Sequence, residues 1–145
     1  MDIMVNDNPI LLIEDDNIDA LTIQRAFDDI GVENSLIHVY NGEEAIRYLD
    51  DASNQKPYFI LLDLNMPKMN GHEFLRAIKD NEELKQIPVV VLTTSKDKKD
   101  ISKSFDLNVA GYLVKTFDYD KFVEIMRAVQ RYWKLSQTPA KVHNF

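Results

Sequence analysis

Residues 10–16 read ILLIEDD, four apolar side chains running directly into three carboxylates, and residues 59–67, FILLDLNMP, repeat the arrangement around a single acid. A continuous apolar run of this length suits a strand buried on both faces, because a parallel sheet covered by helices has no polar side. Carboxylates are the groups least able to follow such a strand into a core, so they must stand at its end, where something offsets their charge. Residues 35–39, 88–92 and 111–115 are further short runs rich in Ile, Leu, Val or aromatics, making five with 10–14 and 58–63. Segments of helical period lie between them. Ala20, Ile23, Phe27 and Ile30 step by three and four, as do Phe122, Ile125, Met126, Val129 and Trp133, so each segment has one stripe to bury. Strands alternating with helices predict an α/β fold built from βαβ units around a parallel sheet.

The chain has 145 residues, about one domain by the usual scaling, and 45% of them are hydrophobic, which suits an ordinary globular interior. No apolar run approaches the roughly 18 residues of a membrane span. The N-terminus, MDIMVNDNP, lacks the basic and apolar regions of a secretion signal, and there is no cysteine, so a cytoplasmic location is the default expectation. A net charge of −7 disfavours binding along a nucleic-acid backbone, which needs clustered Lys and Arg. The polar stretch DASNQKP, 51–57, is expected to be a flexible surface loop, and 136–145 a frayed tail.

In open α/β sheets ligands bind at the edge formed by the strand C-termini. Read at the ends of the five runs, that edge carries Glu14, Asp15 and Asp16, then Asp63, then Thr93 and Thr94, then Lys115. If the first and third strands are neighbours, about 5 Å apart, their acids share one small site and repel unless a cation sits among them. Oxygen ligands with no cysteine, and with His38, His72 and His143 at no metal-binding spacing, favour Mg²⁺ or Mn²⁺ over zinc.

The combination of EDD after the first run, D-x-N-M-P after the third, TT after the fourth and GYLVK after the fifth resembles a bacterial response-regulator receiver domain. The likeness covers roughly residues 9–134, leaving 1–8 as an N-terminal extension and 135–145 as a tail. It implies a flavodoxin-like, doubly wound, five-stranded parallel sheet of order 2-1-3-4-5 with five helices in three layers. It further implies that Asp63 accepts a phosphoryl group from a histidine kinase or histidine phosphotransfer protein. Glu14, Asp15, Asp63 and the backbone carbonyl of Asn65 would hold Mg²⁺. Thr93 would hydrogen-bond a phosphoryl oxygen, Lys115 would pair with another, and Tyr112 would be the switch aromatic that turns inward as Thr93 moves. Such a protein catalyses only its own phosphorylation and dephosphorylation. The segments QIPVVVLTTSKDKKDI, KTFDYDKF and RYW are similar to small receivers that partner phytochrome-type histidine kinases.

Simpler roles account for several neighbours. Asp16 and Asn17 read as caps of the following helix rather than ligands, His72 as an early helix residue, and the lysines of KDKKDISK, 96–103, as a solvated helix start. Two positions depart from the family pattern: Glu14 stands where Asp is frequent, and Thr116 where proline usually follows the motif lysine. A non-proline cis bond costs about 3 kcal/mol, and lysine has a long flexible stem, so a trans Lys115–Thr116 bond is expected. With only a dozen residues after Trp133, the chain is expected to be a stand-alone receiver whose output is a binding face. Val129, Tyr132 and Trp133 then offer aromatic surface for a homodimer.

Two other classes share parts of the pattern. A haloacid-dehalogenase-like phosphatase also uses an aspartate after a strand but needs a second acid two residues on, where this chain has Asn65, which cannot transfer a proton in that way. A pseudo-receiver used only for docking would be expected to lack an acid, the Thr or the Lys, and here all are present.

Overall fold

The computed structural model describes residues 7–139. Five strands, β1 (Ile10–Ile13), β2 (Leu36–Val39), β3 (Ile60–Leu62), β4 (Val89–Thr93) and β5 (Gly111–Val114), form one sheet of order β2-β1-β3-β4-β5 with every pairing parallel. Five helices connect and flank them: α1 (Asn17–Asp29), α2 (Gly42–Asp50), α3 (Gly71–Lys79), α4 (Lys98–Asp106) and α5 (Tyr119–Leu135).

Alternate strand residues point to opposite faces, and this divides the core in two. Leu11, Ile13, Leu62 and Val91 pack with Leu49, Phe74 and Leu75 beneath α2 and α3. Ile10, Leu12, Leu61 and Leu92 pack with Ile23, Phe27, Phe122 and Met126 beneath α1 and α5. This is the expected three-layer, flavodoxin-like arrangement. Each fully buried large apolar side chain contributes about 1.5–3 kcal/mol relative to exposure.

All five helices begin on an Asp or Asn whose side chain accepts a backbone N–H of the first turn: Asp16, Asn41, Asn70, Asp97 and Asp118. Each such cap is worth about 1 kcal/mol, and all but the α3 cap start the helix within a few residues of a strand end. Asp16 therefore caps α1 as expected, whereas Asn17 is its first residue and accepts the Tyr40 hydroxyl at 2.7 Å.

One surface expectation is corrected. Trp133 is not free aromatic surface: it is 5% exposed, its ring is 5.4 Å from that of Phe59, and α5 buries it against the sheet, leaving Tyr132 exposed and Val129 half-buried. Residues 51–57 form a surface loop, as expected, anchored at Lys56. Lys56 Nζ donates to the Leu49 carbonyl at 2.7 Å, and Asn8 Nδ2 donates to the Lys56 carbonyl at 2.7 Å. Beyond α5, Thr138 is buried, so the fold extends into the segment expected to fray; residues 140–145 of that tail and residues 1–6 of the extension lie outside the described residues. Among the described residues no peptide bond is cis, so Lys115–Thr116 is trans, and no helix is long and apolar enough to cross a membrane.

Candidate functional site

Sheet hydrogen bonding runs on just past the strands, and this fixes the site. The Asp63 N–H donates to the Ile13 carbonyl at 3.0 Å, the Glu14 N–H to the Val39 carbonyl at 3.0 Å, and the Lys115 N–H to the Thr93 carbonyl at 2.8 Å. His38 Nε2 lies 2.7 Å from the Glu14 carbonyl, which can only accept, so that nitrogen carries a proton. Glu14, Asp63, Thr93 and Lys115 thus converge on one edge through rigid backbone.

Glu14, Asp15 and Asp63 each offer a carboxylate oxygen, and these atoms lie within 4.8 Å of one another. Glu14 is 1% exposed and Asp63 7%, whereas Asp15 is exposed. Burial pushes the Glu14 carboxyl up to about 7, the hydrogen bond from Lys115 opposing this and the Asp63 charge adding to it. Three convergent acids, all oxygen donors and one open to solvent, suit a hard divalent cation that keeps some of its water. Asn65 is exposed, and its N–H faces Asp63 Oδ1 at 3.4 Å.

Lys115 supplies the positive charge. Its Nζ donates to Glu14 Oε1 at 2.6 Å and to Asp19 Oδ2 at 2.8 Å, and lies 3.8 Å from Asp63 Oδ2. Burial alone would lower its pKa, but the hydrogen bonds to Asp19 and Glu14 and the Asp63 charge outweigh it, so the ammonium titrates above its ordinary range. Sequence reasoning missed Asp19. An acid in the first turn of a helix already has a sufficient role beside the free amides, which conceals its second one.

Thr93, the last residue of β4, is fully buried, and its Oγ1 is the one buried side-chain polar atom among the described residues without a hydrogen-bond partner. Leaving a buried hydroxyl unpaired costs about 1–3 kcal/mol, and Thr93 stands at the C-terminal end of β4, on the same sheet edge as Glu14, Asp63 and Lys115. Beside it, Tyr112 packs half-buried against the core and donates its hydroxyl to the Ser95 carbonyl at 3.0 Å, while the Ser95 hydroxyl donates to Asp100 Oδ2 at 2.6 Å. Tyr112 and α4 therefore grip the loop that follows Thr93. His72 is an early α3 residue as expected, and it also bridges to Ser104 Oγ of α4 at 3.0 Å. The lysines at 96, 98, 99 and 103 are exposed.

Gly71 is a second residue the sequence did not reveal. A Cβ there would stand 2.6 Å from Leu64 Cα and 2.8 Å from the Asp63 carbonyl oxygen, so only glycine lets α3 start against the turn that carries Asp63. Its signal, a glycine directly after a helix cap, reads equally well as punctuation.

The chain matches the model of the response regulator receiver domain over residues 10–127. It is 36% identical to the probable methanogenesis regulatory protein FilR2 of Methanothrix harundinacea, covering 91% of this chain and 88% of that one. It is also 36% identical to the response regulator Rcp1 of Synechocystis sp., covering 86% and 87%. A crystal structure of Rcp1 in its Mn²⁺-bound form superposes with a TM-score of 0.82 at 35% identity over 90% of this chain and 97% of that one. The phosphorylated cyanobacterial phytochrome response regulator RcpA superposes with a TM-score of 0.84 at 37% identity over 91% and 98%. With its sheet order, its acid edge and this match, the chain belongs to the response-regulator receiver-domain family of two-component signalling.

Proposed function

We propose that this receiver accepts a phosphoryl group on Asp63 from a phosphohistidine, in a reaction that depends on a divalent cation, Mg²⁺ in the cell. The observation that carries the proposal is the grouping of Asp63 with Glu14, Asp15 and Lys115 beside the unpaired Thr93 hydroxyl. An Asp63 carboxylate oxygen attacks phosphorus, an O–P bond forms, and the N–P bond breaks as the donor imidazole leaves. Glu14, Asp15, Asp63 and the Asn65 carbonyl would hold the cation, which when bound neutralises charge on the transferring oxygens. Lys115 then pairs with one phosphoryl oxygen, and Thr93 donates its hydroxyl to another. The Mn²⁺ in the Rcp1 structure and the phosphorylation of RcpA support this reading.

Asp63 is only 7% exposed, so the donor must reach inward past the rim. Close to that edge Ile18, in the first turn of α1, and Phe117, after β5, expose apolar side chains suited to a histidine kinase or phosphotransfer helix. A phosphoryl group that engages Thr93 pulls on the loop to Ser95, and the Tyr112 hydroxyl bond transmits that pull to the surface of α4 and β5.

The test is incubation with acetyl phosphate and Mg²⁺ followed by intact mass. One phosphoryl adduct is expected, absent when chelator is present from the start and absent in Asp63→Asn. Labelling that persists in Asp63→Asn would overturn the assignment, and no labelling in the unsubstituted chain would leave a docking module instead.

A further inference from the structure

Two carboxylates hold the Lys115 ammonium, and they are not equivalent. Glu14 is almost wholly buried and belongs to the acid cluster, whereas the Asp19 side chain is 42% exposed and lies outside that cluster. We infer that Asp19 is a positioning residue: it keeps the Lys115 ammonium at the rim of the site when a divalent cation claims Glu14, and yields it to the phosphoryl group on Asp63. The inference rests on the reading of the three acids as a metal site.

The conflict it resolves is geometric. Glu14 Oε1 is engaged by Lys115 at 2.6 Å and Oε2 by the Asp16 N–H at 3.2 Å, so a cation can take Glu14 only by displacing or repelling the ammonium. Repelled toward Asp63, the ammonium would still face the cation, since Asp63 is in the same cluster. Only on the Asp19 side does it leave the cluster while keeping a charged partner. Space exists there: a cavity of about 90 Å³ opens beside Lys115, bounded by Asp19, Thr22, Thr94 and Thr116. The Lys115 side chain is 12% exposed and cannot simply swing into bulk water. An ammonium has three protons, and the bond to Asp19 leaves others free for a phosphoryl oxygen. Because Asp19 is partly solvated, its hold is weak enough to be exchanged.

The test is calorimetric Mg²⁺ titration of the full chain at pH 8, without phosphodonor, for the unsubstituted protein, Asp19→Asn, Lys115→Met and the double variant. Asp19→Asn is nearly isosteric, and it is expected to weaken Mg²⁺ binding about threefold to tenfold, because the ammonium is left competing for Glu14. In the Lys115→Met background the same substitution is expected to change affinity by less than about twofold. Asp19→Glu should restore binding. Equal weakening in both backgrounds would overturn the inference, since Asp19 would then act on the cation as plain negative charge, and so would no weakening in either. Absence of Mg²⁺ binding by the unsubstituted chain would overturn the metal site itself, whereas binding indifferent to Asp19 overturns only this role.

Discussion

The two ends of the same five strands are built to opposite rules. At the N-terminal end, Asn34 Nδ2 donates to the Asn8 carbonyl at 2.7 Å, Gln55 Nε2 to Asn8 Oδ1 at 2.9 Å, and Lys56 Nζ to the Leu49 carbonyl at 2.7 Å. Donors meet acceptors there, and the result is a clasp between loops. At the C-terminal end, Glu14, Asp15 and Asp63 crowd together, a single ammonium is shared among carboxylates, and the Thr93 hydroxyl has no partner. The first end is arranged for the folded chain as it stands; the second, on the proposed function, is completed only by a cation and a phosphoryl group. Like charges crowded beside one unpaired buried hydroxyl, at one edge of an otherwise well-paired molecule, mark where stability gives way to chemistry.

Substitutions at the two ends should therefore separate stability from activity. The largest contrast is Asp63→Asn, which is expected to abolish phosphoryl labelling while raising the stability of the cation-free protein, because it relieves repulsion among the acids. Mass spectrometry and urea unfolding read the two effects, and a stability loss would show that the crowding is not repulsive. Gly71→Ala comes next. Its methyl group would collide with the Asp63–Leu64 backbone, so a loss of about 2 kcal/mol accompanied by slower labelling is expected.

At the opposite end, Lys56→Met removes a charged donor from the Leu49 carbonyl and should cost about 1.5 kcal/mol with labelling unchanged. A matching fall in labelling would blur the contrast. Thr93→Val should move stability the other way, gaining about 1 kcal/mol by replacing an unpaired buried hydroxyl with a methyl, while impairing the response of Tyr112 to phosphorylation. Tyrosine fluorescence or NMR of Tyr112 with a phosphoryl mimic would measure that response.

The smallest effect is a pH slope. The folded chain holds the Glu14 proton up to about 7, against an ordinary carboxyl value of 4.5, so between these values the folded state binds more protons than the unfolded one. In chelator, unfolding free energy should then fall as pH rises from about 4.5 to 7. Glu14→Gln should flatten the slope; unchanged steepness would move the titration to another group.

The sheet could be read from local pattern because short buried strands and amphipathic helices each leave their period in the chain. Four of the five strands observed fall within the apolar runs and β4 extends one residue past its run, to Thr93, while the order 2-1-3-4-5 followed from the motif resemblance. Glu14, Asp63, Thr93 and Lys115 were legible because they sit at strand ends, where sequence position nearly equals spatial position. Asp19 and Gly71 were not, because their roles lie across the fold, against a lysine 96 residues away and against the turn after β3. Trp133 misled for the same reason: nothing within α5 tells that its ring lies on Phe59.

The sequence by itself determined the class of fold, the edge that bears the chemistry and the acids, hydroxyl and lysine that stand on it. Only the tertiary structure decided how those groups share one another: that Lys115 is held by Glu14 and Asp19 rather than by Asp63 alone, and that Thr93 is left unpaired. Periodicity and strand-end position are local properties encoded within a few residues, whereas the sharing of a single charge depends on distances of a few ångströms between segments far apart in the chain.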